Sequence, residues 1–114
     1  MHIDTYRFSY IEVNGHSYTS DVIIGPEGMV DGWWRKTGHS LFPGDLAMAL
    51  EMAPGTLVIG TGHDGRMQVP EETQSFLENE GIEVRAAETG RAVELFNELQ
   101  AQGTRVVAAL HLTC

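Results

Sequence analysis

The segment Gly60-Thr-Gly-His-Asp-Gly-Arg66 has the composition of a loop that faces a ligand. It follows Thr56-Leu-Val-Ile59, an apolar run that reads as a buried strand. A Gly-x-Gly-x-x-Gly segment leaving a strand can turn its backbone N–H groups toward a bound negative charge. Arg66 follows at once and offers a permanently charged donor that can grip a carboxylate or phosphate at two points. Gly60, Thr61, Gly62 and Arg66 are therefore expected to line an anion-binding cleft.

The same spacing invites comparison with a dinucleotide site. Glu88 closes the next expected strand, where an acid would meet a ribose hydroxyl. However, Arg66-Met-Gln-Val-Pro70 separates the glycines from the following helix, and that helix opens with Glu71 and Glu72. Two carboxylates would stand where a pyrophosphate belongs, so no nucleotide cofactor is expected.

Asp31-Gly32-Trp33-Trp34-Arg35 supplies a second set of candidates. In a strand, adjacent tryptophans face opposite sides. One indole could then fill the core while Trp34 walls the cleft and Arg35 adds a charged donor. The competing arrangement buries both indoles with Arg35 stacked on one of them.

His111 is the third candidate. It follows the last apolar strand, at the carboxyl edge where open parallel sheets hold their ligands. The loop after Ile59 leaves the same edge, so His111 and residues 60–66 are expected to be neighbours. An imidazole there could serve as a donor whose charge changes near neutral pH, or simply anchor to a backbone carbonyl.

The remaining polar residues assign no chemistry. His39 and His63-Asp64 read as loop residues, and His111-x-x-Cys114 lacks the second pair that a structural zinc site requires, so no metal is expected. Ser20-Asp21 or Thr61 could be combined with His111, but no Gly-x-Ser-x-Gly elbow and no Cys-plus-His signature is present. No residue is assigned as catalytic. Arg35, Arg66 and Asp21 could also form an internal ion-pair network with no ligand at all.

These candidates need a scaffold, and the chain shows one. Tyr6, Phe8 and Tyr10 are expected on one face of a first strand, and Asn14-Gly15 is a strong hairpin signal. A return strand is expected from His16 to Ile24, then a Gly25-Pro26-Glu27-Gly28 turn and a strand from Met29 to Trp34. These would form a three-stranded antiparallel meander. After Pro43-Gly44-Asp45, the residues Leu46, Ala49, Leu50 and Ala53 have the spacing of a short helix. Beyond residue 56 the pattern becomes strand, helix, strand, helix, strand. The second helix opens at Pro70-Glu71-Glu72 and is capped by Gly81. The third carries Ala92, Leu95, Phe96 and Leu99 at i, i+3, i+4 and i+7. The last strand is Val106–Leu110. The expected fold is one α/β domain over residues 1–114, an antiparallel N-terminal meander combined with a C-terminal βαβαβ parallel sheet.

Bulk composition narrows the partners. The 16 acidic residues outnumber 7 basic ones, for a net charge of −9. Such a field disfavours nucleic acid and anionic membranes. A single cysteine, Cys114, excludes an internal disulfide. No apolar run approaches the roughly 18 residues of a membrane span, and no signal-peptide core begins the chain, so a cytoplasmic protein is expected.

Four motifs taken together resemble a known family. They are Thr19-Ser-Asp-Val-Ile-Ile24, Trp33-Trp-Arg-Lys-Thr-Gly-His39, Gly60-Thr-Gly-His-Asp-Gly-Arg-Met67 with Val69-Pro70, and Ala108-Ala-Leu-His-Leu-Thr-Cys114. In that order they resemble the small domain family that includes mitochondrial complex I assembly factor 3 and the adipogenesis-associated domain-containing protein. The resemblance covers nearly the whole chain. It implies a compact α/β domain, no assigned enzymatic activity, and an assembly or chaperone-like role through protein contacts. It also maps the family pattern onto Trp34, Arg35, Gly60, Gly62, Arg66 and His111.

The function expected is a non-enzymatic binding or assembly-factor-like domain that recognises a protein partner or a small anion. The alternative is an enzyme using His111 as acid or base, with the glycine loop as an oxyanion cradle. Exposed strand edges permit a dimer but do not require one.

Overall fold

Two faces of one sheet organise the molecule. A computed structural model describes residues 1–114. Its central sheet has five strands in the order β5-β4-β8-β6-β7, where β4 is Val22–Ile24, β5 Met29–Asp31, β6 Thr56–Thr61, β7 Glu83–Ala87 and β8 Val106–His111. β8 pairs parallel with β6 and antiparallel with β4, and β6 pairs parallel with β7. All residues of β6 and β8 are buried, which explains why they read as unbroken apolar runs rather than alternating ones.

The two-residue period of these strands divides the core. Val22, Ile24, Val58, Val106, Ala108 and Leu110 face one cluster, while Ile23, Leu57, Ile59, Val107 and Ala109 face the other. The first cluster is closed by Ala92, Leu95 and Phe96 of helix α3 (Thr89–Ala101) and by Ile3, Ile11 and Val13 of a separate three-stranded sheet. That sheet is an antiparallel meander of β1 (Ile3–Arg7), β2 (Tyr10–Val13) and β3 (His16–Tyr18). The second cluster is covered by a 3-10 turn, Pro43–Leu46, by the short helix α1 (Ala47–Glu51) and by helix α2 (Glu71–Asn79). These supply Leu46, Ala49 and Leu77, and Trp33, Leu41 and Met67 complete the packing. Each fully buried Leu, Ile or Phe contributes on the order of 1.5–3 kcal/mol.

The α/β class and the β6-α2-β7-α3-β8 half are as expected from the sequence. An N-terminal antiparallel meander is present as expected too, but it is built from different strands. Ser9 adopts φ 61°, so the chain reverses between β1 and β2. Tyr6, Phe8 and Tyr10 therefore do not line one strand. The stretch His16–Ile24 splits between two sheets, β3 pairing with β2 and β4 with β8. The Asn14-Gly15 hairpin does form, with both residues at positive φ. No helix is long and apolar enough to cross a membrane.

Candidate functional site

Gly32, at φ 79°, ends β5 before the tryptophans, so Trp33 and Trp34 lie outside any strand. What separates the two indoles is anchoring, not strand alternation. Asp21 O accepts hydrogen bonds from the N–H groups of Gly32 and Trp33, at 3.1 and 2.8 Å. Trp33 Nε1 donates to Asp45 O at 2.8 Å. Asp45 carboxylate oxygens accept from Lys36 N at 3.1 Å and Phe42 N at 2.9 Å. Trp33 is thereby drawn inward to 6 % exposure, while Trp34 stands 77 % exposed.

The next residue enters a buried polar centre. Asp21 and His111 sit opposite each other where the β4–β8 ladder continues past Val22↔Leu110. Asp21 Oδ2 lies 2.8 Å from His111 Nδ1 and 2.7 Å from Arg35 Nη1. Its Oδ1 accepts from Leu112 N at 2.8 Å. Arg35 Nη2 is 3.0 Å from His111 Nδ1. One ring nitrogen cannot donate to the carboxylate and accept from the guanidinium at once. The shorter contact, to the formal negative charge, places the proton on Nδ1. His111 Nε2 makes no hydrogen bond within the chain.

Arg35 also lies over the Trp33 ring, its guanidinium carbon 4.9 Å from the centroid. Its Nε is buried without a partner. Burial pushes the Asp21 carboxyl up, but hydrogen bonds from His111, Leu112 N–H and Arg35 outweigh it and hold the group below its ordinary value. The centre can fix an imidazole and hold the tryptophan segment against β8.

The glycine loop does reach the same edge, as the pairing Thr61↔His111 shows. Several of the backbone donors expected to form an anion cradle there are turned inward by hydrogen bonds. Gly62 N donates to Thr89 Oγ1 at 2.9 Å and His63 N to Thr113 O at 2.7 Å. Gly65 N donates to Gly62 O, and Met67 N to Thr61 O. The Thr61 hydroxyl donates to Ala87 O at 3.0 Å. These donors are committed to the fold. A Cβ on Gly60 would approach Leu110 Cδ2 within 2.8 Å, and one on Gly62 would approach Cys114 O within 2.5 Å. The first two glycines of the motif are required by close packing of the loop on β8 and on the residues that follow it.

Arg66 is exposed and joins no ion pair. Of the internal network considered for Asp21, Arg35 and Arg66, the first two meet and Arg66 stays outside. His63, read as a simple loop residue, has Nδ1 3.2 Å from Tyr6 Oη and packs edge-on against Phe8. No group of three or more potential metal ligands occurs.

Two open depressions adjoin Trp34. The larger, about 650 Å³, is lined by Trp34, Lys36, Thr37, Phe42, Gly44 and Asp45. The smaller, about 280 Å³, runs along Trp33, Trp34 and Asp45 to Ala47 and Met48. Gly60, Thr61, Gly62, Arg66 and His111 line neither, so the expected single cleft divides into a tryptophan surface and a buried polar centre behind it. Asp21, considered in the sequence beside His111 and in an ion-pair network with Arg35, holds both of them here, whereas the sequence does not single out Asp45 as a positioning residue. Asp21 had a readable signal, an acid just before the apolar strand Val22–Ile24; Asp45 reads only as a helix-start acid.

The fold recurs in other chains. A family model described as "Protein of unknown function (DUF498/DUF598)" matches residues 3–111. A conserved hypothetical protein of Pyrococcus horikoshii OT3 is 28 % identical, superposes with a TM-score of 0.86, and the match covers 100 % of both chains. A Bordetella parapertussis protein is 32 % identical with a TM-score of 0.84, over 97 % of this chain and 94 % of its own. A Bordetella pertussis protein described as a Mth938-like domain is 26 % identical with a TM-score of 0.70, over 97 % of this chain and 85 % of its own.

Proposed function

We propose, for a chain that belongs to the DUF498/DUF598 family of proteins of unknown function, a non-enzymatic binding role in which the Trp34 surface docks a segment of a partner protein. The observation that carries this reading is the contrast between Trp33 at 6 % and Trp34 at 77 % exposure. An exposed indole flanked by concave surface is the side chain most used as an interface anchor. Its backbone is held on either side, by Asp21 O at Gly32 and Trp33 and by the Asp45 carboxylate at Lys36, which limits the loop freedom lost on binding.

The partner chemistry follows from the walls. Trp34, Phe42 and Met48 offer apolar contact. Lys36 is the one lysine of the chain and forms no ion pair, in a protein of net charge −9. An apolar or aromatic side chain flanked by a carboxylate would suit both. This agrees with the assembly-factor role implied by the family resemblance. It also gives the anion-binding expectation a narrower form, an acidic side chain of a partner in place of a free small anion.

The test uses synthetic peptides with an aromatic residue flanked by Asp or Glu, titrated against the protein while tryptophan emission is followed. Saturable blue-shifted emission that is lost in Trp34→Ala and weakened in Lys36→Glu supports the reading. Equal binding by Trp34→Ala would remove that surface from the interface.

A second reading, acid–base chemistry at His111, is favoured by the Asp21–His111 contact, which orients the ring as carboxylates do in acid–base centres. It requires a turnover that His111→Asn abolishes. Unchanged turnover in that variant ends it.

A further inference from the structure

The five-stranded sheet ends at β7, whose outer edge has no neighbour. Glu83 N donates to Gly55 O at 3.0 Å, toward β6. Backbone groups alternate in direction along a strand, so the N–H and C=O groups of Val84 and Ala86 point away from the sheet. Natural edges are often blunted by proline, lysine or a bulge. β7 has no proline, lysine or bulge, carries one exposed charge of each sign in Glu83 and Arg85, and pairs with β6 in unbroken register from Glu83 to Ala87.

The charges on this edge are self-complementary. Glu83 and Arg85 lie on one face, 3.7 Å apart at their charged groups, both exposed. An antiparallel pairing of two β7 strands centred on Val84 places each Glu83 opposite Arg85 of the other copy. Val84 then faces Val84 and the two exchange a pair of N–H···O bonds. Ala86 N–H meets the C=O of Ile82 in the other copy, whose own N–H is held by Leu77 O. The next allowed register is centred on Arg85 and sets two guanidiniums against each other, an unfavourable cross-strand pair.

We infer that β7 is a self-association edge, through which two copies join their sheets by antiparallel β7–β7 pairing in the Val84-centred register. The occupant is a second copy of this chain because the edge carries both halves of its own ion pairs. The contact is independent of the Trp34 surface. A five-residue edge falls short of the ~1,200 Å² typical of stable interfaces, and each copy carries a charge of −9. The association is therefore weak and appears at high protein concentration.

Sedimentation equilibrium at constant ionic strength tests it, with circular dichroism confirming that each variant is folded. The wild type should show a reversible monomer–dimer equilibrium. Arg85→Glu should raise its Kd by roughly tenfold or more, since both symmetric ion pairs become repulsive. The double exchange Glu83→Arg with Arg85→Glu should restore it. Val84→Pro removes an outward N–H that the monomer does not use, a change edge strands tolerate, and should also abolish the dimer. The inference is overturned by a wild type that stays monomeric into the millimolar range, by a dimer indifferent to Arg85→Glu and Val84→Pro, or by a double exchange that fails to recover what Arg85→Glu loses. A dimer broken by Trp34→Ala in place of the β7 variants overturns it equally.

Discussion

Asp21 Oδ2 meets His111 Nδ1 at 2.8 Å across 90 residues of chain. Arg35 joins the same oxygen, and the Asp21 and Arg35 side chains are only 16 % and 7 % exposed. Removing one partner of such a centre leaves the others without compensation, which costs far more than the intact group contributes. Asp21→Ala is expected to lower stability by about 3–5 kcal/mol, a large part of the ~5–15 kcal/mol available to a domain. Urea unfolding checks this. An unchanged midpoint would mean that the centre is energetically idle.

The same carboxylate sets an acid limit. Its hydrogen bonds hold it below the ordinary range despite burial, so folding favours the ionised form. That contribution is fully present well above the unfolded value of about 3.9, and it is lost as pH falls through and below that value. Thermal unfolding between pH 6 and pH 3 should show the wild type losing stability in that window, with Asp21→Asn showing a shallower decline. Parallel profiles would assign acid sensitivity to other carboxylates.

Much of this fold was legible because its signals are local. The α3 stripe of Ala92, Leu95 and Phe96 and the apolar runs of β6 and β8 follow from periodicity and burial alone. The reversal at Ser9 was not, because a serine at positive φ is imposed by the pairing of Tyr6 with Ile11, not by its own preference. The site was legible in its residue types and less so in its arrangement. Arg35, Thr61 and His111 do converge on one edge. Whether a glycine-loop amide is free or occupied depends on Thr89 and Thr113, which no local pattern connects to Gly62 and His63.

That occupancy can be tested at Gly62. Its φ is 108°, and an added Cβ would lie 2.8 Å from Thr113 O, an oxygen already bonded by His63 N. Gly62→Ala therefore meets both backbone strain and a carbonyl that is held in place. A loss of about 1–3 kcal/mol is expected. Gly44, with nothing within 4 Å of an added Cβ and no positive φ, is the control, and Gly44→Ala should change stability by no more than about 0.5 kcal/mol. Equal effects at the two positions would deny the loop its architectural role.

The tryptophans should separate in the same assay. Trp33 belongs to the same buried cluster as Leu41, Leu46 and Met67 and donates its indole N–H to Asp45 O. Truncation to alanine there should cost about 3–5 kcal/mol. Trp34→Ala should alter stability by only about 0.5 kcal/mol or less, and it should remove the red-shifted, easily quenched part of the emission. If Trp34→Ala were the more destabilising change, its side chain would be structural, and the binding surface proposed for it would lose its basis.

Tyr6 offers a test at the opposite end of the pH scale. Its hydroxyl donates to Leu112 O at 3.2 Å, in a setting shared with His63. Burial, and then the negative charges of Glu88, Asp64 and Asp21, push its pKa up to about 12. Folding thus favours the neutral phenol. Whatever stability this confers is intact below about pH 10, the value for an unfolded tyrosine, and declines as pH rises from there toward 12. Ultraviolet titration of phenolate formation should contain a late component that Tyr6→Phe deletes. Were the variant to retain that component, the late phenol would be another tyrosine, and the contact of β1 with the glycine loop would not be what protects it.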